Sequence, residues 1–348
     1  MGGGSAIRKT KTGRKVTLND IAVRTNFSVN TVSHALRGES DISASTRDYI
    51  RQIALEMGYI GNSLAGTLRT GQSRIIAVII PDIANLYFSI MVKLLELRLQ
   101  RDGYSILVMN TEENVDREVE AVRAALRFNV DGIIITPTQK STQAIEMMKD
   151  NHIPFVLLGR WFEGRHYESV SPDDFQCGYL ATEHLLSLGH RRLLLLNGPD
   201  CISSSQERAA GFLEALRCAG VPKTDATIHP LNAIDNTTGG DLSHYIQDIK
   251  PFTGLITFSD LLAWQVIQAL QDHHLRVPQD VSLVSIDNIQ SHMSIPFPLT
   301  TVDTAKEELA QTLVESLFRL MREGFTRTSH ITLTPTLVVR GSTLPYHA

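Results

Sequence analysis

The stretch VTLNDIAVRTNFSVNTVSHALRG, Val16 to Gly38, holds Val29, Asn30, Thr31, Ser33 and His34 within six consecutive positions. These side chains carry groups that suit nucleic-acid bases. Asn30 can bond an adenine edge bidentately, His34 can donate to a guanine acceptor, and Val29 can pack on a thymine methyl. Ser28, Thr31 and Ser33 are short enough to bond phosphate oxygens, contacts that position a protein on a duplex without reading it. The bland alternative is a polar, solvated face of an ordinary helix bundle.

Spacing determines whether one surface can present these groups. Thr17, which is counted with the DNA-facing residues, is followed three positions later by Asp20, an N-cap and partial capping pair for a helix through Arg24. Ile21 and Ala22 face inward from it. Asn26-Phe27-Ser28 interrupts the period, and a second helix, Val29 to Leu36, turns Val32 and Leu36 toward the core. A third helix, capped near Ser43 or Ser45, places Ile50, Ile53, Ala54 and Met57 at the spacing of a buried stripe. This is helix-turn-helix geometry, in which the second helix is the one that enters a major groove.

At 348 residues the chain has room for such a head and a larger body that can itself be bilobed. Its 43% hydrophobic and 20% charged content fits a soluble globular protein. No apolar run reaches the roughly 18 residues of a membrane helix, and the N-terminus lacks a signal pattern, so the expectation is a cytoplasmic protein without membrane association. Cys177, Cys201 and Cys218 are scattered without C-x-x-C spacing, which argues against a disulfide framework or a zinc site. Residues 1 to 74 hold eleven Lys or Arg against five Asp or Glu, a net of +6, and the remainder carries −10. A cationic head on an anionic body fits a polyanion-binding module attached to something else. The arm MGGGSAIRKTKTGRK supplies five of those cations, so charge alone decides little.

The body reads as repeated strand and helix. Apolar runs at Ile75 to Ile80, Ile106 to Met109, Ile133 to Ile135, Phe155 to Leu158, Leu193 to Leu196, Leu255 to Phe258 and Leu283 to Ile286 have the character of strands buried on both faces. Each is followed by an amphipathic or loop-then-helix segment. Such alternation predicts doubly wound parallel sheets with helices on both faces.

The head stretch, followed by ISASTRDYIRQIALEMGYIGNSLAGTLRTGQS, resembles the DNA-binding head and hinge of the lactose-repressor/galactose-repressor (LacI/GalR) family of bacterial transcription regulators. The likeness continues through IIAVIIPDIANLYFSIMVKLLELRLQRDGYSILVMNT, VDGIIIT, IPFVLLGR, ATEHLLSLGHRRLLLLNGP, SSSQERAAGFLEAL, GLITFSDLLAWQVIQAL, VPQDVSLVSIDN and PLTTVDT, in that family's order. It implies a small all-α head and an α/β bilobed body like a periplasmic binding protein, with two doubly wound parallel sheets joined by three chain crossings. Residues 1–15 are then a basic flexible arm or a cloning-derived tail, 16–60 the head, 61–73 a hinge helix and linker, and 74–343 an effector-binding and dimerisation domain. Its N-lobe comprises about 74–173 and 304–332, its C-lobe about 174–303 and 333–343.

The resemblance also assigns candidate site residues. Tyr87 and Phe88 match an aromatic pair at the interlobe cleft, Arg208 matches an arginine that bonds the effector, and Asp287 matches the carboxylate opposite it. Arg160 and Asp173, at the ends of the fourth and fifth strands, are further cleft candidates by the rule that ligands bind beyond the carboxyl ends of parallel strands. Ser204 belongs to the same set. Ser259 departs from the Asn-Asp pair common in sugar-responsive relatives, which puts the effector's identity in doubt. Ile202 cannot supply the charged contact of purine-responsive relatives. In the hinge, NSLAGTLR places Asn62, Ala65 and Leu68 on DNA, with Leu68 the wedge at a minor-groove base step; Gly66 weakens that helix.

The partners implied are double-stranded operator DNA, a small-molecule effector of sugar type and a second copy of the chain, with dimer against tetramer left open. No cofactor is implied. Rival readings are a purine-responsive corepressor-type regulator and a small-molecule receptor without DNA function. An enzyme is not expected: phosphate-loop, dinucleotide, nucleophile-elbow and H-E-x-x-H motifs are all missing, and His273-His274 reads as a surface pair near a helix end.

Overall fold

The computed structural model describes residues 15–59, 71–231, 252–294, 297–325 and 328–347. The hinge candidates Asn62, Ala65 and Leu68 lie outside the described residues. The chain forms two compact units, Met1–Gly71 and Gln72–Ala348.

The first unit contains α1 (Leu18–Thr25), α2 (Val29–Arg37) and α3 (Ala44–Glu56). A full capping box opens α1: Thr17 Oγ1 accepts from the Asp20 amide while the Asp20 carboxylate accepts from the Thr17 amide at 2.8 Å. Asn26, in the left-handed region at φ 59°, ends the helix and turns the chain. Ser28 caps α2 and Ser43 caps α3. Ile21, Ala22, Val32, Ala35, Ile50 and Ala54 close the core, with Leu36 and Met57 packed against it.

The second unit holds two six-stranded sheets. The first uses β1 (Ile75–Ile80), β2 (Ser105–Asn110), β3 (Gly132–Ile135), β4 (Phe155–Leu158), β5 (Ser169–Pro172) and β11 (His330–Leu333), ordered β11-β5-β4-β3-β1-β2, with every pair parallel. The second uses β6 (Leu193–Asn197), β7 (Ala226–Pro230), β8 (Gly254–Thr257), β9 (Ser282–Asp287), β10 (Thr300–Asp303) and β12 (Thr336–Val338), ordered β12-β10-β9-β8-β6-β7. Among the described residues, only the β10–β12 pair of this sheet is antiparallel.

Strand alternation explains the layers. Ile76, Val78 and Ile80 point to one face of β1, where α4 (Leu86–Arg101) and α10 (Lys306–Glu323) cover them; Ala77 and Ile79 point to the other, under α5 (Val115–Arg127) and α6 (Gln143–Asp150). In the second sheet α9 (Asp260–Asp272) covers one face, while α7 (Asp174–Ser187) and α8 (Ser203–Cys218) cover the other. The chain passes between sheets three times: from β5 to α7, from β10 to α10 and from β11 to β12. Both sheets therefore aim their carboxyl ends at residues that line one cavity.

Candidate functional site

In the first unit, α2 leaves Ser28, Val29 and Asn30 exposed and Thr31, Ser33 and His34 half-buried. The buried Val32 and Ala35 fix that orientation. Ser28 Oγ accepts from the Thr31 amide at 3.0 Å, so the cap also orders the start of the helix. Thr17 spends its hydroxyl on the capping box. His34 has a partner within the head: its Nδ1 lies 2.6 Å from Asp41 Oδ2. A carboxylate only accepts, so that ring nitrogen carries the hydrogen and Nε2 is the nitrogen left for other partners.

In the second unit, a cavity of about 500 Å³ is lined by residues beyond the carboxyl ends of both sheets. Of the expected cleft residues, Tyr87, Phe88, Arg160, Ser204, Arg208, Ser259 and Asp287 all line it. Tyr87 and Phe88 open α4 behind the Asn85 cap and meet edge to face, 5.3 Å between centroids. Asp173 does not line the cavity: as N-cap of α7 its carboxylate accepts from the Gln176 amide at 2.9 Å, and its neighbour Asp174 takes the lining position. Strand β5 stops at Pro172, one residue before the strand-end reading put it, and Asp173 belongs to the cap.

Asp174 is the partner of Arg208, whose Nε lies 2.7 Å from Asp174 Oδ1. Arg208 also donates to the Phe258 carbonyl and lies 4.3 Å from the centre of the Phe258 ring. Glycine permits this arrangement: a Cβ on Gly178 would stand 2.1 Å from the Arg208 carbonyl oxygen, and one on Gly211 would stand 2.0 Å from that of Phe175. The backbones of α7 and α8 touch, so the pair is held between two rigid helices. Burial raises the Asp174 carboxyl above the ordinary range, with the Arg208 charge opposing.

Asp287 ends β9 with φ at 123°, a region a non-glycine residue enters at a cost, and such costs concentrate at functional sites. Burial, followed by the charge of Asp260, pushes its carboxyl up to about 8. Behind it, the fully buried Lys306 at the start of α10 donates through Nζ to the Asp287 carbonyl. Asp260, also fully buried, accepts from Ser285, Thr301 and the Ile289 amide, which keeps it behind the cavity wall. Ser259 caps α9, its Oγ accepting from the Leu262 amide at 3.2 Å.

Sequence reasoning missed Glu112, Glu113 and Lys140, which also line the cavity. Glu113 receives Arg160 through both carboxylate oxygens at 2.6 and 3.0 Å. Lys140 donates to the Glu113 carbonyl at 2.9 Å. Glu112 and Glu113 lie beyond β2, so the strand-end rule that selected Arg160 could have found them. A clasp also went unread: Gln139 Oε1 accepts from the Ser203 amide at 2.9 Å, and the Trp161 amide donates to Ser203 Oγ at 3.2 Å. These bonds tie loops of the first sheet to the helix that carries Arg208.

Comparison with known proteins gives this geometry a context. Residues 17–62 match bacterial regulatory proteins of the lacI family, and residues 182–343 match a periplasmic binding protein-like domain. The HTH-type transcriptional regulator DegA of Bacillus subtilis (strain 168) is 30% identical over 335 residues, covering 95% of this chain and 99% of its own. The Lac repressor dimer bound to operator and the anti-inducer ONPF superposes with a TM-score of 0.82 at 26% identity, covering 95% of this chain and 100% of that one. A LacI family transcriptional regulator from Enterococcus faecium, with bound ribose, has a TM-score of 0.69 at 29% identity, covering 78% of this chain and 100% of its own. With a helix-turn-helix head, a bilobed α/β body and likeness along nearly its whole length, the chain belongs to the lacI family of bacterial regulatory proteins.

Proposed function

We propose that the protein is an effector-controlled, sequence-specific transcriptional regulator, a repressor that binds a near-palindromic operator as a homodimer in the cytoplasm. The effector is a sugar or sugar-like molecule held in the cleft. The observation that carries this reading is the cavity of about 500 Å³ in which Arg208, Asp174 and Asp287 meet the Tyr87 and Phe88 rings. That size suits a small molecule, and the mix of aromatic faces with a few fixed polar groups suits a polyol. The site binds and releases its ligand and performs no chemical step.

The chain's own contacts supply a route for control. A ligand that bridges the two lobes favours the state in which the Gln139–Ser203 clasp is made. Lys306 links the Asp287 carbonyl to α10, a helix packed on the first sheet. Any difference in ligand affinity between two lobe arrangements shifts their populations, and DNA affinity shifts with them. A dimer follows from the DNA logic, since two heads on a two-fold site multiply the selectivity of one.

The test is a thermal-shift screen of the purified protein against mono- and disaccharides, polyols and purines, repeated with Arg208→Ala. A ligand at a hundred times its dissociation constant adds about 2.7 kcal/mol of stability. A sugar hit abolished by the substitution, and a change in operator affinity when that sugar is added, supports the reading. A purine hit, or a sugar hit indifferent to Arg208, overturns the effector assignment.

A further inference from the structure

We propose that Asp41 sets the base preference of α2 by fixing which nitrogen of His34 faces DNA. The inference rests on the DNA-binding reading above and adds a positioning residue to it. His34 is on α2 one turn beyond the exposed Asn30, so the two side chains share a face of that helix. Its ring does not hang free: Nδ1 meets Asp41 Oδ2 at 2.6 Å.

The chemistry follows from the partner. Asp41 belongs to the turn between α2 and α3, outside the recognition helix, and its side chain is 55% exposed against 32% for His34. An ionised carboxylate has no hydrogen to give, so the short contact requires the hydrogen on Nδ1. In the neutral ring Nε2 then carries a lone pair and accepts. Major-groove edges offer two exocyclic amino donors, adenine N6 and cytosine N4, whereas guanine shows acceptors at O6 and N7. A neutral His34 held in this tautomer selects adenine or cytosine in its contacted position and disfavours guanine, whereas an imidazolium would donate from Nε2 and favour guanine, the outcome that counts against the proposal. Without Asp41 the ring is free to take either tautomer, and the selection at that one position is lost while neighbouring contacts remain.

The experiment is binding-site selection from a random duplex library with the full-length protein, run in parallel for the unsubstituted chain, His34→Ala, Asp41→Ala, Asp41→Glu and the His34→Ala, Asp41→Ala double variant. His34→Ala identifies the operator position it reads, as the one whose preference flattens. At that position the unsubstituted chain is expected to favour adenine or cytosine by roughly tenfold, the usual size of one good base contact. Asp41→Ala brings the ratio to within about twofold, Asp41→Glu restores part of it, and the double variant matches His34→Ala, the pattern of a residue acting through its neighbour.

Guanine or thymine at that position, or an Asp41→Ala profile identical to the unsubstituted one, overturns the proposal and leaves DNA binding intact. So does a His34→Ala profile with no position changed. Failure to enrich any two-fold site overturns the DNA-binding reading itself. Long-range proton–nitrogen NMR of the His34 ring in the unsubstituted protein reads the tautomer without any variant; a hydrogen on Nε2, whether alone or together with one on Nδ1, sinks the idea.

Discussion

Arg208 Nε donates to Asp174 Oδ1 at 2.7 Å, so the cation on the cleft floor is satisfied within its own lobe. Both side chains are almost wholly buried, at 7% and 6% exposure. Replacing Asp174 by Ala strands a guanidinium away from water, and breaking a buried pair in this way costs about 3–5 kcal/mol. Urea denaturation of Asp174→Ala should show that loss. The double variant Asp174→Leu, Arg208→Met should recover much of the stability while remaining unable to bind effector, because burial of the charges is what makes the single variant costly. A single variant as stable as the parent would mean that water reaches Arg208 in solution.

The contact between α7 and α8 makes a second, sharper expectation. A methyl on Gly178 meets backbone, not a side chain that can swing aside, at 2.1 Å from the Arg208 carbonyl oxygen. The helices must separate, and overpacking of this kind costs about 1–3 kcal/mol or more. Gly178→Ala should therefore lower the unfolding midpoint in urea and weaken effector binding together, since Arg208 and Asp174 sit on the two helices being forced apart. Normal affinity in a destabilised variant would show that the pair tolerates helix displacement.

Asp287 gives the pH dependence its sign. Burial, with the charge of Asp260 adding to it, lifts this carboxyl from 3.8 to about 8, so the folded protein holds a proton that the unfolded chain releases across that window. The stabilisation is complete below the unfolded value and is lost as pH rises through the folded one. Stability measured by urea denaturation from pH 6 to pH 9 should fall with rising pH, and Asp287→Asn, which mimics the protonated side chain, should flatten the slope. An unchanged slope in the variant would assign the effect to another buried group. At neutral pH the protonated Asp287 also has a hydrogen to donate, which suits a ligand hydroxyl or ring oxygen.

What the chain reveals in advance depends on whether one physical signal dominates. The head was legible because its caps, its polar break and its buried stripe point to the same three helices. The apolar strands were legible because burial on both faces leaves runs such as IIAVII and LLLL. Strands β7, β10 and β11 were not. Strand β7 is a half-buried edge with no such run, and β10 reads TTVD, its hydroxyls satisfied by Asp260 and the Arg340 amide. Resemblance places Arg208 and Asp287 in one cleft, but the strand-end rule points to Asp173 and not Asp174, because pattern does not show that the strand stops at Pro172 and that Asp173 is spent on a cap. The Arg160–Glu113 pair joins positions 47 residues apart, and no local period records it.

The charge of the cleft sets a final expectation about its ligand. Among the described residues, every cation that lines it is already engaged: Arg208 by Asp174 and the Phe258 carbonyl, Arg160 by Glu113 and the Pro137 carbonyl, Lys140 by the Glu113 carbonyl. Among the described residues, five carboxyl groups line the same space, on Asp82, Glu112, Glu113, Asp174 and Asp287, of which Asp287 is protonated at neutral pH and carries no charge. A phosphate or carboxylate entering this site gives up water, finds no free counter-charge and faces like charge, a penalty of several kcal/mol for a desolvated anion. A neutral sugar faces none of this, since hydroxyls both donate to carboxylates and accept from guanidinium edges. Isothermal titration of a sugar that binds, beside its phosphorylated form, should therefore show the phosphate ester weaker by at least about a hundredfold, the equivalent of about 2.7 kcal/mol. Tighter binding of the ester would require Arg160 or Arg208 to leave its partner, and Glu113→Gln or Asp174→Asn would then strengthen it further.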